Sequence, residues 1–393
     1  MRRILLVSES TPDGFSFMTG SSLLGQLSSM RKLHELTIIA PFVLPLPRSK
    51  DNIRTIKKIL RIDKKGIVDG VVYYRPWFFG FPLILGRLND FIKVLAIFVC
   101  IKVNKIKFDI IHAHYAHPPG FVAVLLGKIV KKPVIITCRG SDIHEYTEKN
   151  YPDKLRRSRV LYSIKNAVYL ICVSNFLKRK VISLGIDDAK VTVIPNGVKS
   201  RMFYPIDSSV ARKQINLPID KKLLVNVALL TPIKGTKYLI DAFAELTKRR
   251  NDVLLLIIGD GPLRAELENQ VLALNLDGHV RFLGFIPNEE LVFWFNAADL
   301  FVLPSLGEGF GIVLIEAMSC GIPIVASNVG GIPEIINEDN LGVLTTPGDI
   351  KGLSSCILQA LNKTWDRNRL IERSKYYSWD NVARLTSDIY ERI

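Results

Sequence analysis

The sequence predicts a doubly wound α/β protein built as two domains, and three observations carry that prediction. Short β-branched apolar runs alternate with amphipathic stretches almost throughout, as strands alternate with helices in this class. The runs are continuously apolar rather than alternating, which suits parallel strands covered on both faces. A length of 393 residues leaves room for about two or three domains, each with its own core.

Taken in order, strands are expected at 4–7, 36–40, 71–75, 110–112, 134–137, 169–173 and 191–194. A polar joint rich in Pro195, Gly197, Pro205 and Pro218 then separates the halves, as linkers do. Strands resume at 223–228, 254–258, 280–283, 300–303, 324–326 and 342–344, and a final helix is expected over 380–393. The domains read as 1–200 and 201–379, with neither tandem repeats nor low-complexity tails.

Hydrophobic content of 48% and charged content of 23% are ordinary for a globular enzyme. The net charge of +16 is not. Residues 1–200 hold 33 Lys and Arg against 14 Asp and Glu, and the remainder holds 20 against 23. Colloidal solubility would not confine charge to one half, and no recognisable nucleic-acid motif accompanies it. An anionic membrane surface ranks first among partners, with no nucleic acid. Cys100, Cys138, Cys172, Cys320 and Cys356 are odd in number and widely spaced, as reduced thiols are. With no signal-peptide pattern and no apolar run longer than about 94–101, the expected location is the cytoplasmic face of a membrane, held peripherally.

The most informative segment runs from Ser305 to Glu334. Glu308 and Glu316 flank a Gly309-Phe310-Gly311 turn that follows a strand and opens an apolar helix. Open α/β sheets bind ligands at that carboxyl edge. Glycines let the backbone approach a ligand, and a helix start offers N–H groups and partial positive charge to a phosphate. Glu316, in the second turn, could accept both hydroxyls of a ribose. A solvated loop acid and an exposed helix acid are the bland alternative. Gly259-Asp260-Gly261 also follows a strand and opens a helix, although a glycine turn there could be architectural.

This run resembles the Glu-x7-Glu signature of family 4 retaining glycosyltransferases, whose GT-B architecture sets two Rossmann-like domains facing each other across a cleft. The resemblance covers most of the chain and is firmer in the second half. It implies a nucleotide-sugar donor bound by Gly259, Arg264, Ile286, Gly309, Phe310, Gly311, Ile312, Val313 and Glu316. Glu308 is expected to contact the donor sugar. Lys234, in Thr231-Pro232-Ile233-Lys234-Gly235, matches the family lysine that binds the donor diphosphate. Gly284-Phe285-Ile286-Pro287 matches the segment whose backbone meets the base, with UDP favoured. Pro195-Asn196-Gly197 resembles the family's interdomain stretch, and the final helix sits where such chains cross back to the first domain.

Two positions depart from the family pattern. Ala228-Leu229 replaces the usual Gly-Arg, so the second diphosphate cation is missing there, and Arg264 is the candidate to compensate. Arg139-Gly140-Ser141-Asp142 replaces His-Gly-x-Asp. An arginine cannot deprotonate an acceptor at neutral pH, but it could stabilise a departing phosphate. Arg139 therefore joins Glu308 and Lys234 as a catalytic candidate. Gly14, His114 and Asp142 are expected to meet the acceptor, a hydroxyl on a glycan or lipid-linked molecule. His112, His114 and His117 lack the company a zinc site needs, so no metal or cofactor is expected. Residues 48–66 read as a basic amphipathic helix, and Trp77 to Phe81 as an aromatic loop. Together they could meet headgroups, against the bland reading of an ordinary surface helix and a core loop. The rival functions are a sugar-phosphate synthase or phosphorylase of the same fold and a non-catalytic nucleotide-sugar scaffold. A nicotinamide dehydrogenase is disfavoured, because no Gly-x-Gly-x-x-Gly follows the first strand.

Overall fold

The structure, a computed structural model, describes residues 1–9, 20–81 and 87–393. The chain forms two compact units, residues 1–195 with 379–393, and residues 196–378. Each of the strands expected from the sequence is present, within a residue or two at its ends.

The first unit is built on an eight-stranded sheet, in the order β10-β9-β8-β7-β1-β2-β5-β4. Its strands are β1 (Arg3–Val7), β2 (Glu35–Ile39), β4 (Lys65–Val68), β5 (Val71–Tyr74), β7 (Ile110–His114), β8 (Val134–Cys138), β9 (Tyr169–Cys172) and β10 (Val191–Val193). A separate parallel pair joins β3 (Phe42–Leu44) to β6 (Trp77–Phe79). The expected long helix over 48–66 is shorter. It spans Lys50–Leu60, capped by Ser49, and the chain then forms β4, an antiparallel edge strand on β5. The aromatic loop is likewise strand β6, with Phe78 turned inward between the exposed Trp77 and Phe79.

The last helix, Trp379–Arg392, belongs to this first unit. Trp379, Val382, Ala383, Ile389 and Tyr390 share a core with Ile4, Leu36, Ile110 and Ile135. Gly25 admits the Trp379 indole so closely that an added Cβ would lie 2.1 Å from its ring nitrogen.

The second unit holds β11 (Lys222–Val227), β12 (Val253–Ile258), β13 (Val280–Gly284), β14 (Leu300–Leu303), β15 (Ile324–Ser327) and β16 (Gly342–Thr345). All pair in parallel, in the order β13-β12-β11-β14-β15-β16. Counted from β11, this is the 3-2-1-4-5-6 order of a Rossmann sheet. Every residue of β12, β14 and β15 is buried, the physical reason their sequences are continuously apolar. The strand order reverses between β11 and β14, and ligands of such sheets bind outside the carboxyl ends of the strands at that point. In the first unit the same reversal falls between β1 and β7.

Candidate donor and acceptor sites

The loop after β11 carries Lys234, and the loop after β14 carries Glu308, so the two straddle the reversal point of the second sheet. Lys234 Nζ lies 2.6 Å from Glu308 Oε2, and both side chains are only partly exposed. The two loops are also joined through the backbone, where Leu306 N–H donates to the Ile233 carbonyl at 2.8 Å. Beneath them, the buried Asn226 amide donates to the Val302 carbonyl at 2.8 Å and ties β11 to β14.

A third loop closes on the first two. Gly331 N–H donates to the Glu308 carbonyl at 3.1 Å. Gly330 has φ +60°, and a Cβ there would lie 1.7 Å from that carbonyl oxygen, so only glycine lets the chains approach this closely. The glycine pair after β15 thus fixes Glu308.

Helix Ile312–Ser319 begins at Gly311, whose φ of +95° turns the chain into it. No side chain caps this N-terminus, and its first N–H groups point out of the helix. Gly309, Gly311 and the partly buried Ile312 and Val313 bring backbone to this position. The Phe310 ring is buried edge-on against Tyr377, with centroids 5.8 Å apart, which leaves only its backbone for a ligand. Glu316 sits one turn further in. Burial pushes its carboxyl up to about 7, with Lys199 opposing. A ligand offering hydroxyl groups would satisfy that carboxylate.

Gly259 follows β12, and Ile286 is half-buried in the loop after β13, on the same edge of the sheet. Arg264 opens helix Arg264–Ala273, but its Nε lies 2.5 Å from Glu268 and its guanidinium stacks on Phe282. Leu229, at the usual arginine position, is 47% exposed.

In the first unit, His112 and His114 stack at the end of β7, ring centroids 4.7 Å apart. Arg139 Nη2 lies 2.7 Å from His114 Nδ1 and 2.9 Å from Gln26 Oε1. Gln26, more than a hundred residues away in sequence, had no signal that could have singled it out. His112 is held between Tyr390 Oη at 2.5 Å and Thr137 Oγ1 at 2.8 Å. Burial and the Arg139 charge hold both histidines below the usual range, His112 down to about 3.

Asp142 corrects an expectation. It is fully buried, and its carboxylate accepts N–H bonds from Ala116 at 2.8 Å, Gly140 at 2.8 Å and Arg139 at 3.1 Å. It fastens two loops to each other and positions them, rather than presenting itself to an acceptor. His117 is likewise committed, with Nε2 3.0 Å from Asp90, which Arg159 also contacts. Among the described residues no three metal-ligating side chains cluster. Gly14 lies outside the described residues.

The second unit's Rossmann-ordered sheet sets a cation and a carboxylate where open α/β sheets bind their ligands. Two Rossmann-like α/β units in one chain are the architecture of the GT-B glycosyltransferases. Residues 207–376 match the family model described as "Glycosyl transferases group 1", and residues 23–201 match "Glycosyltransferase Family 4". An uncharacterized glycosyltransferase of Methanocaldococcus jannaschii is 32% identical over 301 residues, covering 72% of this chain and 75% of that one. A phosphatidylinositol N-acetylglucosaminyltransferase subunit of Saccharomyces cerevisiae is 28% identical over 353 residues, covering 85% and 74%. The structure of Anabaena HepE with UDP-glucose superposes with a TM-score of 0.75 at 20% identity, covering both chains fully. The chain belongs to the family 4 glycosyltransferases, and it is a transferase enzyme.

Proposed function

We propose that this enzyme moves a sugar from a nucleotide donor, with UDP favoured, to a hydroxyl of a glycan or lipid-linked acceptor, with the anomeric configuration retained. The observation that carries the donor assignment is the Lys234–Glu308 pair, set at the β11/β14 reversal beside the helix that Gly311 opens. In this reading Lys234 and the helix N–H groups meet the diphosphate, Glu308 turns to the sugar and Glu316 accepts the ribose hydroxyls. The charge of the diphosphate is then balanced by the protein itself, without a metal or other cofactor. The UDP-glucose complex of HepE supports a uridine donor by likeness of fold.

The site works on the cytoplasmic face of a membrane, with the first unit resting on anionic lipid. Helix Lys50–Leu60 has no buried residue and carries Lys50, Arg54, Lys57 and Lys58 beside the exposed Ile53 and Leu60. Trp77, Phe79 and Phe81 are exposed close by in sequence. Among the described residues no helix is long and apolar enough to cross a membrane. The lipid-modifying yeast relative supports this acceptor class.

A thermal-shift panel of nucleotides and nucleotide sugars tests the donor assignment. A ligand at a hundred times its Kd adds about 2.7 kcal/mol to stability. A uridine sugar should shift the melting point most, and the anomeric proton coupling of its transfer product should match the donor's. A panel without any response, or an inverted product, refutes the respective claim. Neutralising Lys57, Lys58, Lys64 and Lys65 together should release the protein from anionic vesicles and slow transfer to a lipid acceptor, sparing a soluble analogue. Equal binding of the native protein to anionic and neutral vesicles at low salt sinks the membrane reading.

A further inference from the structure

Helix Asn89–Val103 is apolar on opposite sides. Val94, Ile97 and Ile101 are buried, whereas Phe91, Leu95, Val99 and Val103 are 50, 61, 49 and 73% exposed. Recurring every fourth residue, those four form one stripe along about 18 Å of helix. Apolar side chains aligned in this way mark a contact surface, whereas scattered ones need no explanation.

Beside the stripe lies a groove of about 550 Å³, walled by Leu95, Ala96, Val99 and Val103 on the helix and by Pro76 and Trp77 on the strand side. That volume falls within the range of about 300–1,000 Å³ usual for small-molecule sites. Lys64 and Lys65 also line it, with Lys64 Nζ 5.5 Å from the Trp77 ring and Lys65 Nζ 5.3 Å from the Tyr74 ring. Among the described residues neither lysine has a carboxylate partner, and no carboxylate lines the groove. An apolar trough with two unbalanced cations complements a molecule that is a hydrocarbon at one end and an anion at the other.

We infer that this groove binds one hydrocarbon chain of an anionic membrane lipid, with the lipid phosphate held against Lys64 and Lys65. The inference rests on the membrane reading above and deepens it, since it replaces adsorption to a charged surface with a defined site for a single lipid. Both ammonium groups lie over aromatic rings at the groove wall, Lys64 over Trp77 and Lys65 over Tyr74, and no carboxylate competes with a phosphate for them there.

Titration with monododecyl phosphate below its micelle concentration, read by calorimetry and Trp77 fluorescence, tests the site without any membrane. One equivalent should bind, inorganic phosphate should give no saturable heat, and dodecyl maltoside should bind at least tenfold more weakly. Ala96→Phe, which fills the trough, and Lys64→Ser with Lys65→Ser should each weaken binding at least tenfold. Leu95→Asp replaces an exposed residue and serves as a wall variant that leaves the core untouched. An unchanged thermal shift with UDP-glucose confirms an intact fold in each. Inorganic phosphate binding as well as the alkyl phosphate overturns the inference, as does native affinity in both Ala96→Phe and Leu95→Asp. Vesicle binding that persists without alkyl phosphate binding also overturns the groove while leaving the membrane reading standing. The reverse result removes the membrane and keeps the site.

Discussion

Replacing Glu316 with glutamine should alter both stability and donor affinity, each with a predictable pH dependence. Burial raises this carboxyl from the ordinary 4.5 to about 7. The folded protein therefore holds a proton there that the unfolded chain has already released between those pH values. Stability must fall as pH rises through that window, because the native state binds more protons than the unfolded one. A displacement of this size corresponds to at most about 3 kcal/mol, reached once pH exceeds 7. Urea unfolding of the free enzyme at pH 5, 6, 7 and 8 should show that decline, and Glu316→Gln should abolish it. Donor binding runs in the opposite sense. A carboxylate accepting two ribose hydroxyls must be ionised, so donor affinity should rise with pH up to about 7, with proton release measurable by calorimetry in buffers of different ionisation enthalpy. In Glu316→Gln the affinity should become independent of pH and lower by roughly 1.5–3 kcal/mol, about 10- to 150-fold. An identical pH slope in wild type and mutant, or unchanged affinity, would refute the assignment.

Three further outcomes follow from the same geometry. Lys234→Ala should lower kcat about 100- to 1,000-fold while shifting the melting temperature little, since its charge acts where the leaving diphosphate gains charge; wild-type turnover would return it to a plain loop role. Gly330→Ala should cost more than about 2 kcal/mol and abolish the donor thermal shift, because the added Cβ meets the Glu308 carbonyl; a stable, binding-competent variant would show that the three loops are not locked together. Tyr390→Phe should destabilise the first unit by about 1–3 kcal/mol through loss of the bond to His112, read from its unfolding midpoint.

The parallel strands were legible because burial on both faces demands continuous apolar sequence, and sequence records that demand directly. The short β3, β4 and β6 carry no such demand. The basic run over 48–66 hid β4 behind a helical pattern. Yet Asp69-Gly70, both with positive φ, form the two-residue turn between β4 and β5, and an Asp-Gly pair is a hairpin signal that could have been used. In the candidate site, the strand, glycine turn and helix that carry Glu308 and Glu316 were legible in the sequence, and Lys234 was singled out by resemblance. The ion pair between Lys234 and Glu308 was not, because it depends on which strands become neighbours, β11 beside β14 rather than beside β13. The partial burial of Glu316 and the bond from Arg139 to Gln26 are tertiary facts of the same kind. Asp142 was misread because a loop acid in a motif looks the same whether it faces a ligand or its own backbone.

The arginine at 139 bears on how the acceptor loses its proton. Its guanidinium cannot accept one, and it is already bonded to His114 and Gln26. His114 receives that bond at Nδ1, so its proton sits on Nε2 and the ring keeps no free lone pair. Both nitrogens of His112 are engaged by Tyr390 and Thr137, and the Asp142 oxygens are engaged by backbone N–H groups. Among the described residues, these four side chains therefore offer no free basic atom to an acceptor hydroxyl. We propose that the departing phosphate of the donor takes the proton, with Lys234 holding its remaining charge. In that case kcat at saturating donor should show no acidic limb that depends on a histidine, while kcat/KM for the donor keeps the limb near 7 that belongs to Glu316. His114→Gln should leave the shape of the kcat profile unchanged. An acidic kcat limb that disappears in His114→Gln would identify a histidine base and defeat the argument.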